Sequence, residues 1–124
     1  MYLDTHVVVW LAAGLKRKLS PGARKAIEAA DELLVSPMVS LELAYLHEIG
    51  RVTRPPATVL AQLIGSIGLR TTDQSLASLV GVAMELNWTR DVFDRLIVSE
   101  CIHAGQPLLT KDRTIRRHFE QAVW

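Results

Sequence analysis

Asp4, Glu42, Asp94 and Asp112 are acids set among apolar residues, and acids in such surroundings point to metal-ion chemistry. Asp4 directly follows the strand-like pair Tyr2-Leu3, and Asp112 comes two residues after the apolar run PLLT, which ends at Thr110. Glu42 has Met38 and Val39 one helical turn before it and Tyr45, Leu46 and Ile49 after it. Asp94 has Ile97, Val98 and Cys101 three, four and seven residues further on. At helical spacing such neighbours share a face, so each carboxylate heads or interrupts an apolar stripe. Burying an ionised carboxylate without a partner is costly, and four converging ones repel one another, so something positive must sit among them. The Lys and Arg residues lie mostly on polar faces and at termini, whereas an all-oxygen ligand set suits Mg²⁺ or Mn²⁺. An ion of that kind lowers the pKa of an attacking water, neutralises a phosphodiester and stabilises the leaving oxygen. Phosphodiester hydrolysis is the chemistry that follows.

Each acid taken singly also has a plainer reading. Asp4 could cap a helix, Glu42 could pair with an Arg, Asp112 could be a turn residue, and Asp91 with Asp94 three positions later resembles a capping box. It is the set of four, two at strand ends and two on apolar helix faces, that favours a shared site.

The elements that must position these acids alternate between short apolar strands and helical runs. Thr5 can cap a helix from Asp4 toward Gly14. Ser20-Pro21 pairs a cap with a proline at the first helical position and opens a second helix ending near Asp31, before the apolar triplet Leu33-Leu34-Val35. A helix from Met38 to Gly50 and another opened by Pro55-Pro56 lead to a weak strand at Leu69-Arg70-Thr71. Asp73 can cap a helix reaching Asn87, and Asp91 one reaching Gly105. PLLT at 107–110, a basic helix after Asp112, and a terminal strand at Ala122-Val123-Trp124 complete the series. This alternation predicts an α/β fold with a parallel sheet covered on both faces, a three-layer arrangement in which ligands bind at the carboxyl ends of the strands.

The 124 residues are the length of one ordinary domain, and no repeat or linker-like stretch divides residues 1–124. Dispersed apolar residues and an N-terminus without a basic leader argue against a membrane span or a secretory signal, and the chain is expected in the cytoplasm. One Cys, Cys101, and four scattered His exclude an internal disulfide and zinc-ribbon spacing. The net charge is only +1, yet with four of the thirteen acids committed to a metal the fourteen Lys and Arg outnumber the remaining nine acids by five, a surplus that suits a polyanion.

The segments YLDTH, VSLELAYL, RDVFDRLIVSE and GQPLLTKDRTI, taken in order and spacing over nearly the whole chain, resemble the PIN-domain family, and within it the VapC-type toxins of bacterial toxin–antitoxin pairs. That resemblance implies a PIN-like fold with a parallel sheet of about five short strands. It implies an Mg²⁺- or Mn²⁺-dependent endoribonuclease with Asp4, Glu42, Asp94 and Asp112 as metal-binding, catalytic acids, and Thr5 and Thr110 beside them. It further implies a homodimer and a cognate VapB-type antitoxin whose tail blocks the site. Thr89 and Val92 depart from the His and Pro frequent in the family, which bears on how RNA is gripped more than on the acids.

Other features are weighed against this frame. Lys111, Arg113, Arg116 and Arg117 cluster charge just after Asp112, where a phosphate backbone would approach, and Arg95 next to Asp94 could meet a carboxylate or phosphate. Lys16, Arg17 and Lys18 read as a solubilising loop. Trp10, Tyr45 and Trp88 read as core or dimer packing before base-stacking platforms. His47-Glu48 begins like a zinc-protease motif, but position 51 is Arg where a second His is required. Two rival functions are a non-catalytic PIN-like binding module and a phosphorylatable receiver domain using Asp73 and Lys111. In the latter Glu42 and Asp94 would have no task.

Overall fold

The computed structural model describes all 124 residues, and its framework is a five-stranded sheet of very short strands. β1 (Tyr2–Leu3) lies at the centre, with β2 (Leu34–Val35) and then β3 (Arg70–Thr71) on one side, and β4 (Leu108–Leu109) and then β5 (Ala122–Val123) on the other. All pairings are parallel: Tyr2 registers with both Leu34 and Leu108, and Leu3 with Leu109. The edge strands pair Leu34 with Arg70 and Leu109 with Val123. Successive strand residues point to opposite faces, and both residues of β1, β2 and β4 are buried. Both faces of the sheet are therefore covered, as the apolar strands require.

The covering helices start where local chemistry lets them. Asp4 caps α1 (Thr5–Ala12), and the Ser20 hydroxyl accepts from the Ala23 amide to open α2 (Pro21–Ala29), with a short 3-10 turn at Lys16–Lys18 between them. Ser36 caps α3 (Pro37–Glu48), and α4 (Pro56–Ile67) follows Pro55. α5 (Leu76–Ala83), α6 (Val92–Ala104) and α7 (Arg113–His118) complete the chain. Gly68 and Gly105 end α4 and α6 with φ of 67° and 62°, the left-handed turn that glycine adopts without strain, and so return the chain directly to β3 and β4. One apolar cluster runs from β1 and β4 through Val7 and Val8 of α1 and Val39 and Leu43 of α3 to Ile97 and Val98 of α6. No helix is long and apolar enough to cross a membrane.

Three sequence expectations shift. Asp4, not Thr5, caps α1, because its Oδ1 accepts the Thr5 amide at 2.6 Å while the Thr5 hydroxyl turns inward. Asp73 caps nothing: α5 begins three residues later at Leu76 behind Ser75, and it stops at Ala83, short of Asn87. The Lys16–Lys18 segment forms a helical turn and not a loop.

Candidate active site

Asp4 and Thr110 are fixed by the ladder itself. The Asp4 amide donates to Leu109 O at 3.1 Å, and the Thr110 amide to Val123 O at 3.0 Å, so both residues leave the sheet at its carboxyl edge. Both are buried, Asp4 at 5% exposure and Thr110 at 0%. The Thr110 hydroxyl donates to Asp4 Oδ2 at 2.5 Å and accepts the Asp112 amide at 3.0 Å, tying the loop after β4 to the acid after β1. The Thr5 hydroxyl donates to Glu42 Oε2, which brings α3 against the start of α1. Two threonines thus each hold one carboxylate in place.

Glu42 and Asp94 enter from α3 and α6, whose other residues pack into the core. Ile97, Val98 and Cys101 are fully buried, as the apolar stripe beyond Asp94 suggested. The stripe around Glu42 divides differently: Val39 and Leu43 are buried, while Tyr45 and Ile49 are about half exposed, at 50% and 49%. Glu42 therefore stands at the boundary between core and cavity. Asp4, Glu42, Asp94 and Asp112 all line one cavity of about 470 Å³, with Thr5, Asp91 and Arg51 among the other walls.

The electrostatics of that cavity are those of an uncompensated anion cluster. Burial first, then the charges of Asp91, Asp4, Asp112 and Glu42, push the Asp94 carboxyl from 3.8 up to about 7. Burial, with Asp4 and Asp91 adding to it, also raises Glu42 above the ordinary range, although the Thr5 hydroxyl opposes the shift. No hydrogen bond from the protein relieves Asp94, whose neighbour Asp91 is occupied in capping α6: Asp91 Oδ1 accepts the amides of Phe93 at 2.8 Å and of Asp94 at 3.2 Å. Asp112 likewise gives Oδ1 to the amides of Thr114 at 2.7 Å and Ile115 at 2.8 Å, which leaves Oδ2 for the cavity. No three His, Cys, Asp or Glu side chains are close enough in this arrangement to hold an ion. Like charges with nothing between them stand apart. The donor set nonetheless fits a hard divalent cation: all its atoms are oxygens, two are pre-positioned by threonines, and Asp94 has no competing partner.

Two residues that sequence reasoning did not select also belong here. His6 Nδ1 lies 3.2 Å from Asp4 Oδ2, and Nε2 accepts the Lys111 amide at 2.9 Å. A ring nitrogen that accepts an N–H carries no proton, so Nδ1 is the nitrogen that carries it, close to Asp4 but without a well-aligned hydrogen bond to it. The signal was the two-residue offset from Asp4, which puts His6 in the first turn of α1. Arg51 is the one Lys or Arg among the cavity's lining residues. In the sequence it counts only as the missing second His of a discarded motif, and nothing local announces that the turn after α3 brings it back over Glu42's cavity.

The expected substrate-binding cations divide. Lys111 and Arg113 line a second cavity of about 410 Å³ that shares His6, Trp10 and Asp112 with the acidic one. Arg116 and Arg117 are exposed on α7 and line neither. Arg95 is elsewhere: its Nε donates to Thr89 O at 2.8 Å, and its side chain borders an apolar depression with Val80, Met84 and Val92. At one step past Asp94 on a helix, its side chain turns about 100° away from the acids. Asp73 lies beyond edge strand β3, outside the acidic cavity, so the receiver pairing of Asp73 with Lys111 has no geometric basis.

Comparison with known proteins gives the same outline. The family model described as PIN domain matches residues 1–119. The chain belongs to the PIN-domain family. Among PIN relatives, Ribonuclease VapC22 of Mycobacterium tuberculosis is 39% identical over 118 residues, covering 94% of this chain and 89% of that one. Among solved structures, VapBC2 from Rickettsia felis, crystallised bound to a DNA fragment from their promoter, superposes with a TM-score of 0.67 at 18% identity. That match covers 98% of this chain and 94% of the other and shows that the PIN fold is shared.

Proposed function

We propose that this PIN-domain chain is the toxin of a type II toxin–antitoxin pair, an endoribonuclease that hydrolyses RNA phosphodiester bonds with a divalent metal, Mg²⁺ or Mn²⁺, held by Asp4, Glu42, Asp94 and Asp112. The observation that carries the reading is the meeting of these four acids, from four separate stretches of chain, in one cavity at the carboxyl edge of the sheet. The similarity to a ribonuclease over 94% of the chain supports it. A bound divalent ion supplies charge neutralisation and an activated water.

The chain's own residues account for the rest. Thr110 and Thr5 orient Asp4 and Glu42, and the His6 ring stands beside Asp4 Oδ2. Asp94, pushed up by burial and by its like-charged neighbours, is the carboxyl that gains most from a cation, which would hold it ionised as a ligand. Asp112 joins from the start of α7. Arg51 in the wall of the acidic cavity, and Lys111 and Arg113 in the adjoining one, offset the charge of an approaching phosphate.

The partners follow the same logic. A VapB-type antitoxin binds the chain and directs a basic residue into the anionic cavity, replacing the metal's charge. The chain acts in the cytoplasm as a single PIN-like domain and forms a homodimer through exposed apolar residues, including Leu41 and Tyr45 of α3, Leu76 and Val80 of α5 and Val92 of α6. The deciding experiment is cleavage of total RNA by the purified chain in Mg²⁺ or Mn²⁺, in excess EDTA, and with Asp94→Asn. Cutting in metal that chelator and the substitution both abolish is expected. Undiminished cutting in EDTA would remove the metal from the mechanism.

A further inference from the structure

Next to the acidic cavity lies a group of residues for which metal chemistry has no use. Trp10, two turns into α1, is half-buried, and its ring borders both the acidic cavity and the adjoining basic one. The Lys18 ammonium stands 5.4 Å and the Lys111 ammonium 5.7 Å from its ring centroid. The His6 ring packs at 4.8 Å, tilted by 57°, and the Trp124 ring meets it edge-on at 6.0 Å. Trp10 is thus braced by rings at its sides and covered by two flexible ammonium groups.

Part of Trp10 packs against the apolar core, and the two ammonium groups cover the part that does not. Lysines on long, hydrated stems are a replaceable cover, and a polyanion would draw them off toward its phosphates. The basic cavity they border, about 410 Å³ with Lys111, Arg113 and Thr114 on its walls, falls within the size range of small-ligand sites, about 300–1,000 Å³. It shares His6, Trp10 and Asp112 with the acidic cavity, so a chain with its scissile phosphate among the four acids and its next nucleotide in the basic cavity lays that nucleotide against Trp10. Aromatic faces flanked by cations are how proteins hold single-stranded nucleic acid. His6 links the two cavities, because one ring lies beside an acid at Nδ1, accepts the Lys111 amide at Nε2 and packs tilted against Trp10.

We propose that Trp10 is the stacking platform for the unpaired nucleobase beside the cleaved bond, with Lys18 and Lys111 moving from its face to the flanking phosphates. The subsite rests on the ribonuclease reading for its place beside the cleaved bond. Its ligand class, a single-stranded nucleic acid, follows from the ring and cations, and that the strand is RNA follows from the ribonuclease reading. Stacked bases extruded from pairing favour single-stranded loops and ends over duplex.

The test uses the three tryptophans of the chain. A protein carrying Trp88→Phe, Trp124→Phe and Asp94→Asn emits from Trp10 alone, and it is titrated with a single-stranded oligoadenylate labelled for anisotropy. Saturable quenching that follows the anisotropy is expected. A series of the same oligomer with one abasic site moved along it should lose most of that quenching at a single register. Trp10→Ala should weaken RNA affinity on the order of tenfold to a hundredfold, with Trp10→Phe recovering most of it. RNA that binds by anisotropy without quenching overturns the platform, as does affinity unchanged in Trp10→Ala or no binding at all. Register-specific quenching in the single-tryptophan protein, with a wild type that never cuts RNA, would instead sink the ribonuclease reading and leave the subsite standing.

Discussion

Replacing Asp94 by Asn should make the metal-free protein more stable at neutral and alkaline pH. The Asp94 carboxyl rises from 3.8 to about 7 on folding, so the fold prefers it protonated. For a group whose folded pKa is raised, stability is lost as pH climbs from the unfolded value toward the folded one, here between about pH 4 and 7, and the loss is complete above that window. A shift of three units is roughly 4 kcal/mol at its ceiling. Asp94 is half-buried, and solvent screening reduces this to about 2 kcal/mol. The acid also sits in the first turn of α6, where its charge favours the helix by roughly 0.5 kcal/mol that Asn forgoes. The net gain at pH 8 is about 1–1.5 kcal/mol, a rise in Tm of about 5 °C for a chain of this length. The assay is thermal unfolding in EDTA of wild type and Asp94→Asn from pH 4 to 8. The gap should open through that window and close again when the wild type is given saturating Mg²⁺. A variant that melts below the wild type at pH 8, by a margin indifferent to pH, would show that Asp94 is a structural residue and that the acids do not repel one another as described.

Asp91→Ala should do the opposite, costing about 1 kcal/mol by removing the cap of α6 while leaving RNA cleavage in place once the protein is folded, and denaturant unfolding with a cleavage assay checks both halves. Mg²⁺ at a hundredfold excess over its Kd should add about 2.7 kcal/mol to the wild type, read as a rise in Tm that Asp4→Asn abolishes. Val80→Asp places a charge on the apolar surface offered for self-association and should convert a dimer to a monomer by light scattering, whereas a wild-type monomer at micromolar concentration would contradict that surface's role.

The order of elements, and the four acids that the fold brings to one cavity, could be read from the sequence because each rests on local chemistry. Ser20 before Pro21 opens α2, Asp91 and Gly105 bound α6, and the strands LLV and PLLT are apolar on both sides because both faces are covered. Asp94 was legible because its neighbours one and two turns along are core residues. The positions of His6, Arg51 and Trp10 around that cavity could not be read in that way, since each depends on segments distant in sequence meeting at the carboxyl edge of the sheet. The Lys111 amide reaches His6 from 105 residues away, and no periodicity encodes that. Arg95 misled for the converse reason, since adjacency in sequence to Asp94 is divergence on a helix. Glu100 is a further surprise, fully buried with one oxygen bonded to Thr72 and the other without a partner. Nothing in SECIHA distinguishes it from the exposed acids of other helices.

The central claim, that four carboxylates on this framework hold a divalent ion for RNA hydrolysis, is met most directly by anomalous diffraction from crystals grown in Mn²⁺. A single cavity bounded by Asp4, Glu42, Asp94 and Asp112 predicts manganese density there, with carboxylate oxygens roughly 2.0–2.3 Å from it. It also predicts loss of that density in Asp94→Asn crystals. Manganese bound elsewhere on the surface, with the four acids unliganded in a protein that still cuts RNA, would contradict the account.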